Sequence, residues 1–235
     1  TAEQILIRSG NIGSVRIAQK IGEEKYKSFL TRLGITGGIN FDIEEVGKPI
    51  DLKWGKCPLA TASFGHGITT TLLQIVKAYS IISNGGFEVN PTLIKSDQEI
   101  KRGKVINEEV SEKILPILRK IVSTKEGTAK LANVQGYEVG GKTGTANKNL
   151  DGAYTNKKIN TFVSVFPITK PKFALAIMFD EPKINKNYIY EYRDGSNFKL
   201  KGSPRNTAGW NSVEASGHIL EKIGPILATK YSEIN

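Results

Sequence analysis

Apolar residues recur at helical spacing through the first half of the chain. The pattern predicts helices over residues 12–21, Tyr26–Leu33, Thr70–Ser83 and from Asn107 to about Val122. A glycine lies just after each of the first three, as is usual at a helix C-terminus. Pro116 inside the fourth predicts a kink or an early end, because an interior proline costs roughly 3 kcal/mol. The glycine- and proline-rich residues 35–67 predict a long irregular connection.

The second half of the chain has the pattern of β-strands. Strands are predicted over Tyr137–Thr145, Ile159–Val165 and Phe173–Phe179. The turn-rich residues 147–156 and 167–171 would join them, and connections this short favour an antiparallel sheet. A last helix over Ala208–Leu227 would cover one face, so the order of elements indicates the α+β class. We expect a mainly helical part over about 1–130, and a sheet part with the terminal helix over about 131–235.

Composition limits the classes of function. Hydrophobic residues make up 39% of the chain and charged residues 24%, as in an ordinary globular protein. No apolar run approaches the roughly 20 residues needed to cross a bilayer, and the first residues do not form a signal peptide. The net charge is +10, but the basic residues are spread out and lack interleaved aromatics, so no nucleic-acid partner is expected. Attraction to an anionic polymer or a membrane surface stays open.

The cysteine and histidine counts restrict metal and disulfide chemistry. A single cysteine excludes an internal disulfide, and with only two histidines no cysteine- or histidine-rich metal site is expected. Cys57 itself, next to Pro58, is expected to be a small buried hydrophobe. No cofactor is predicted from any motif.

The candidate chemistry lies in two short motifs, Gly141-Lys142-Thr143-Gly144-Thr145 and Ser9-Gly10-Asn11. A Lys-Thr-Gly run in a strand and an earlier Ser-x-Asn are two of the three elements of a serine acyl-transfer site. The third is a Ser-x-x-Lys that carries the nucleophile and should come first. The only match here, Ser196–Lys199, follows the Lys-Thr-Gly run in a polar loop, and we interpret it as a chance match. The sequence therefore contains most of an active site without its nucleophile.

The Lys-Thr-Gly strand has residue types suited to acyl transfer. A strand lining a cleft can direct Lys142 toward the reacting centre, and Gly144 would let a substrate backbone approach closely. Thr143 and Thr145 would offer hydroxyls to a carboxylate, and a backbone N–H of the strand could donate to an oxyanion.

Both motifs also have simpler interpretations. Gly136–Thr143 matches the phosphate-binding pattern G-x-x-x-x-G-K-[ST], but that loop needs a helix immediately afterwards, and the glycine- and asparagine-rich residues that follow predict none. A glycine-rich edge strand without function is the other interpretation of this run. Taken alone, Ser9–Asn11 would be a helix N-cap.

Together with these motifs, further segments resemble the transpeptidase domain of penicillin-binding proteins, specifically the class B, cell-division (septal) type. These segments are Ala62–Ile68 with the following helix, Gly127-Thr128-Ala129, Gly140–Ala146, Phe162–Phe166, Phe173–Pro182 and the helix at Ala208–Ile219. The resemblance covers nearly the whole chain. It implies the penicillin-binding/β-lactamase-like transpeptidase fold without its first strands and nucleophile helix, so the chain would be the C-terminal portion of a single transpeptidase domain.

The resemblance also implies an activity, peptidoglycan D,D-transpeptidation, in which a serine is acylated by a D-Ala-D-Ala stem peptide and penicillins trap the acyl-enzyme. Ser9 would relay protons, Asn11 would hydrogen-bond the acyl side of the substrate, and Lys142 would supply positive charge beside Ser9. Thr143 and Thr145 would hold the terminal carboxylate, and the Thr145 N–H would form half of the oxyanion hole.

Partners and location follow from the same resemblance. The implied partners are peptidoglycan stem peptides, β-lactam antibiotics and cell-division membrane proteins, and the implied location is a periplasmic domain of an inner-membrane-anchored protein whose anchor lies outside this chain. The 235 residues alone are expected to be inactive, and to self-associate through uncovered apolar faces. Two alternatives remain: a serine β-lactamase, which shares both motifs but releases the acyl group to water, and a non-catalytic scaffold module.

Overall fold

The computed structural model describes residues 1–50, 53–95, 102–150, 153–202 and 205–231. The chain forms two compact units, Thr1–Leu115 and Pro116–Asn235, and the boundary between them falls within a helix. The described helices are α1 (Ala2–Arg8), α2 (Asn11–Ile21), α3 (Glu23–Arg32), α4 (Lys56–Ala62), α5 (Leu72–Ser83), α6 (Glu108–Ser123) and α7 (Ser212–Tyr231). The strands are β1 (Gly140–Leu150), β2 (Ala153–Phe166), β3 (Phe173–Asp180), β4 (Ile189–Glu191) and β5 (Lys199–Lys201).

The first unit confirms the predicted helices as α2, α3, α5 and the start of α6. Helix α6 ends at Ser123, which confirms the predicted end near Val122, so of the two effects expected from Pro116 the early end does not occur. Leu118, Ile121 and Val122 are buried beyond the proline, and burial of roughly 1.5–3 kcal/mol per side chain outweighs its cost.

Residues 35–67 contain a helix, α4, where an irregular connection was predicted. This helix buries Leu59 and Ala62, which lie on one face at i, i+3 spacing. Cys57 lies off that face and is exposed, so the prediction of a buried cysteine is wrong.

Helix α5 organises the first unit through its first turn. Thr71 and Gln74 form a capping box in which each side chain bonds the other residue's backbone N–H. The fully buried Gln74 amide also donates to the carbonyls of Gly34 and Gly37, both at 3.0 Å. These bonds hold the chain that follows α3 against α5. A hydrophobic cluster lies on the same helix and its neighbours, formed by Leu33, Ala78, Ile81 and Ile106.

The second unit is built on an antiparallel sheet of order β1-β2-β3, which confirms the predicted α+β class and strand arrangement. Strands β1 and β2 are longer than predicted, because pairing continues past Ala146 through Asn149 opposite Tyr154. The turn prediction for residues 147–156 is therefore wrong for the eight described residues, and the other two lie outside the described residues. Lys148 supports this extension by bonding Asp180 and Glu181 at 2.9 and 3.0 Å.

The remaining elements close the sheet unit. A 3₁₀ helix at Ala208–Trp210 leads into α7, so the predicted terminal helix is confirmed, with a tighter first turn. The short hairpin of β4 and β5 was not predicted, since its three-residue strands are too short to show alternation. Fully buried side chains from β2, α7 and the chain before β1 form the core, including Leu131, Val139, Phe162, Val165, Val213 and Leu220.

Candidate active site

Strand β1 presents the Lys-Thr-Gly run at the edge of the sheet. It pairs with β2 along one side, and no strand of the described ranges pairs with its other side. An edge strand directs alternate N–H and C=O groups outward, where a ligand can bond them. Lys142 and Thr143 are half-buried, whereas Gly144 and Thr145 are exposed. The end of the run is therefore accessible to a ligand.

Two glycines of β1 differ in what their missing side chains would contact. At Gly141 a Cβ atom would lie 2.5 Å from the Val163 carbonyl oxygen and under 3 Å from the Phe162 ring, so packing against β2 requires glycine there. At Gly144 the nearest atom to a Cβ would be the Thr161 oxygen, 3.9 Å away. Packing within the chain does not require glycine at this position, whereas close approach of a ligand backbone would.

The lysine at the centre of the run has a perturbed pKa. Its Nζ donates to the Thr143 carbonyl oxygen at 3.1 Å, and burial lowers the pKa of Lys142 to about 8. Strand alternation places Lys142 on one face of β1 and Thr143 and Thr145 on the other. The lysine can therefore carry charge or exchange a proton near neutral pH, while the two hydroxyls are directed elsewhere.

This lowered pKa predicts a pH-dependent cost in stability. Below about pH 8 folding holds a charged Lys142 where burial disfavours it, and the cost falls as pH rises from about 8 toward the ordinary value of 10.5. Replacing Lys142 with Met should raise the free energy of unfolding by up to about 3 kcal/mol at pH 7 and much less at pH 10. Thermal unfolding across this range, with the exposed Lys199→Met as control, measures the effect. An equal gain in stability at pH 7 and pH 10 would contradict the lowered pKa of Lys142.

Both threonines of β1 have their hydroxyls held by neighbouring segments. The Thr143 and Thr128 hydroxyl oxygens are 2.7 Å apart. The Thr145 hydroxyl accepts from the Ala208 N–H at 3.0 Å, which leaves its own hydrogen available to an acceptor. Sequence reasoning assigned no role to Thr128 or Ala208 in the site, and their 15- and 63-residue separations from these partners form no local pattern.

The Ser9-Gly10-Asn11 motif forms the tight turn between α1 and α2. Ser9 is the C-cap of α1, with φ 56° and ψ 49°, and Asn11 is the first residue of α2. The N-cap of α2 is Gly10, which has no side chain to make a cap bond, so the N-cap interpretation of Ser9 and Asn11 is wrong. Both side chains are exposed.

The structure thus places the predicted site residues in two groups. Ser9 and Asn11 lie in the first unit, and the Lys142–Thr145 strand lies in the second, with Thr128 and Ala208 beside it. That the two groups share one cleft stays a prediction.

The Ser-x-x-Lys match at Ser196–Lys199 has the geometry of a surface loop. The Ser196 hydroxyl accepts from the Phe198 N–H at 3.3 Å, between β4 and β5. Lys199 forms an exposed ion pair with Glu191 at 2.6 Å. Neither side chain is poised to activate the other, which supports the interpretation as a chance match.

The phosphate-loop interpretation fails on secondary structure. After Lys142 the chain continues as β1 to Leu150 and opens no helix, so no helix N-terminus is available to receive a phosphate.

Across the described ranges, no group of three or more His, Cys, Asp and Glu side chains could hold a metal ion. Within the same ranges, none of the helices has the length and apolar character needed to span a membrane.

Comparison with known families identifies the family to which the chain belongs. The model of the penicillin binding protein transpeptidase domain matches residues 1–197. The chain belongs to this transpeptidase family. The Lys142–Thr145 strand and the Ser9–Asn11 turn both lie inside the matched region.

Curated relatives of this chain include proteins from Caulobacter vibrioides and Bacillus subtilis. The chain is 30% identical to the probable peptidoglycan D,D-transpeptidase FtsI of Caulobacter vibrioides over 240 residues, which covers 97% of this chain and 38% of that protein. It is 32% identical to stage V sporulation protein D of Bacillus subtilis over 197 residues, which covers 77% of this chain and 30% of that protein. The chain thus spans about a third of the length of these relatives.

Solved structures confirm the transpeptidase fold. The transpeptidase domain of Burkholderia pseudomallei penicillin-binding protein 3 matches with a TM-score of 0.80 at 24% identity, over 96% of this chain and 64% of that one. Penicillin-binding protein 3 of Mycobacterium tuberculosis, complexed with aztreonam, matches with a TM-score of 0.77 at 22% identity. The match covers 95% of this chain and 52% of that one.

Proposed function

We propose that the protein carrying this chain is a peptidoglycan D,D-transpeptidase that binds penicillin, and that its nucleophilic serine lies in a Ser-x-x-Lys upstream of residue 1. The observation that carries this proposal is the edge strand β1, which combines a lysine of lowered pKa, an open Gly144 and two oriented threonine hydroxyls in a transpeptidase-family chain. The chain is then the C-terminal portion of one transpeptidase domain, with a helical part over about 1–130 and a sheet part over about 131–235.

The strand would hold the D-Ala-D-Ala terminus along its free edge. The hydroxyls of Thr143 and Thr145 would donate to the terminal carboxylate, and charge-assisted hydrogen bonds of this kind are stronger than neutral ones. The substrate backbone would lie beside Gly144, where a side chain would obstruct it. The Thr145 N–H would donate to the carbonyl oxygen that gains charge during attack.

Acyl transfer would then proceed in two steps. The upstream serine oxygen attacks the penultimate D-Ala carbonyl carbon and forms an ester, and the terminal D-Ala leaves as an amine that receives its proton through Ser9. An amine of a neighbouring stem peptide attacks the ester, forms the cross-link and returns the proton to the serine. Lys142 supplies positive charge beside Ser9, and Asn11 hydrogen-bonds the acyl part of the substrate.

The cellular setting is part of the same proposal. The relatives named FtsI and stage V sporulation protein D support a role in peptidoglycan synthesis. We propose that this synthesis takes place at the septum, with division membrane proteins as partners. We place the domain in the periplasm, anchored to the inner membrane by a segment outside this chain. Peptidoglycan stem peptides and β-lactams would be its ligands.

The test is a stoichiometric reaction of the complete protein with a chromogenic cephalosporin. A transpeptidase should give a burst of about one equivalent followed by very slow turnover, because its acyl-enzyme resists water. Sustained hydrolysis would instead identify a β-lactamase. Absence of both burst and turnover in folded protein would indicate a non-catalytic scaffold module and overturn the proposal.

A further inference from the structure

We infer that Thr128 is a positioning residue that directs the Thr143 hydroxyl toward the substrate carboxylate. This inference rests on the proposed function, because it deepens the role of the carboxylate site on β1. Thr128 does not belong to the Lys-Thr-Gly run, and it reaches that run through a hydroxyl contact of 2.7 Å.

The turn that carries Thr128 is fixed against the end of α6. The Ala129 N–H donates to the Ile121 carbonyl oxygen at 3.1 Å, and Ala129 is fully buried. At Gly127 a Cβ atom would lie 2.1 Å from the same oxygen, so only glycine permits this approach. Thr128 is therefore held between two residues that cannot shift without breaking the turn.

The 3₁₀ helix at Ala208–Trp210 fixes the same region from the other side. A Cβ at Gly209 would lie 2.8 Å from the Thr128 carbonyl oxygen, so this helix packs directly on the Thr128 backbone. Its first residue, Ala208, donates its N–H to the Thr145 hydroxyl at 3.0 Å. One short element thus contacts Thr128 and orients Thr145.

Which of the two hydroxyls donates the hydrogen bond between Thr128 and Thr143 decides what Thr143 can offer a ligand. Only one hydrogen lies between the two oxygens. If Thr143 donated to Thr128, it would present only lone pairs to a carboxylate, which also accepts. If Thr128 donates, the Thr143 hydrogen is available, just as the Thr145 hydrogen is. A carboxylate therefore selects the state in which Thr128 donates to Thr143. A residue without a hydroxyl at position 128 cannot donate the hydrogen bond that directs the Thr143 hydroxyl.

The experiment compares acylation of the complete protein by benzylpenicillin and by its methyl ester, which lacks the anionic carboxylate. Thr128→Val should lower the rate constant for benzylpenicillin up to about 10-fold, the upper end for losing one hydrogen bond between neutral groups, because the Thr143 hydroxyl is no longer held toward the carboxylate. It should change the much slower ester reaction less than about 3-fold. Thr128→Ser should restore the benzylpenicillin rate to near wild type, because it keeps the hydroxyl.

Controls separate this inference from its alternatives. Thr124→Val, which removes a hydroxyl bonded to the Lys120 carbonyl in the same segment, should leave both rates unchanged. If Thr128→Val does not fold, Thr128→Ala should likewise lose more of its acylation rate with benzylpenicillin than with the methyl ester. An equal loss of acylation rate with benzylpenicillin and with its methyl ester, or no loss with either, would overturn the inferred role of Thr128. No acylation of the wild-type protein would instead contradict the proposed function.

Discussion

Replacing Lys142 with Ala in the complete protein should slow acylation by benzylpenicillin by about 10²–10⁴-fold, the usual range for losing a positioned proton-transfer or electrostatic group. The expected cause is loss of the half-buried ammonium on the edge strand, whose lowered pKa lets it act near neutrality. Stopped-flow or quenched-gel measurement of the second-order acylation rate constant tests this.

A matched control lies further along the same strand. Lys148→Ala removes another lysine of β1, whose Nζ bonds Asp180 and Glu181 on β3 and just after it, and the variant should be acylated within a few-fold of the wild-type rate. Wild-type kinetics in the Lys142→Ala protein would remove Lys142 from the mechanism.

The second large effect should come from Arg193, which holds the β4–β5 hairpin to α7. Its guanidinium makes a two-bond pair with Glu214 at 3.0 and 3.1 Å and also donates to the Leu131 carbonyl. The two side chains are only 4% and 6% exposed. Arg193→Met should therefore cost roughly 3–5 kcal/mol of unfolding free energy, because the buried Glu214 carboxylate loses its guanidinium and keeps only the Tyr188 hydroxyl and the His218 ring nitrogen.

Denaturant unfolding of single and double variants measures this effect. Arg193→Met with Glu214→Leu should be less destabilised than the sum of the two single changes, since no charge then stays unpaired. Lys199→Met, which breaks the exposed Lys199–Glu191 pair of the same hairpin, should cost under about 1 kcal/mol. Additive losses in the double variant would show that the pair is not coupled.

The elements that the sequence predicted correctly are those whose burial leaves a clear apolar pattern. Helix α5 buries residues on one face at helical spacing, and strand β2 ends in a continuous buried run over Phe162–Phe166. Helix α4 was missed because Gly55 and Pro58 obscure a single buried face in a glycine- and proline-rich region. Strands β4 and β5 were missed because each is only three residues long.

The candidate site divides in the same way. Lys142 and Thr143 could be identified because the motif places them consecutively on one strand. Thr128 could not, since its contact with Thr143 depends on how the turn after α6 packs under β1. The Arg193–Glu214 pair was equally hidden, because a buried charge and an exposed one look alike in a sequence until the fold places them.

The most direct test of the central claim is a crystal structure of the complete protein acylated by benzylpenicillin. The penicilloyl carboxylate should lie within hydrogen-bond distance of the Thr143 and Thr145 hydroxyls, and the ester carbonyl oxygen should accept from the Thr145 N–H. Asn11 and Lys142 should both line that cleft. An adduct whose carboxylate contacts neither threonine, or a structure with Asn11 and Lys142 on opposite faces, would contradict the account.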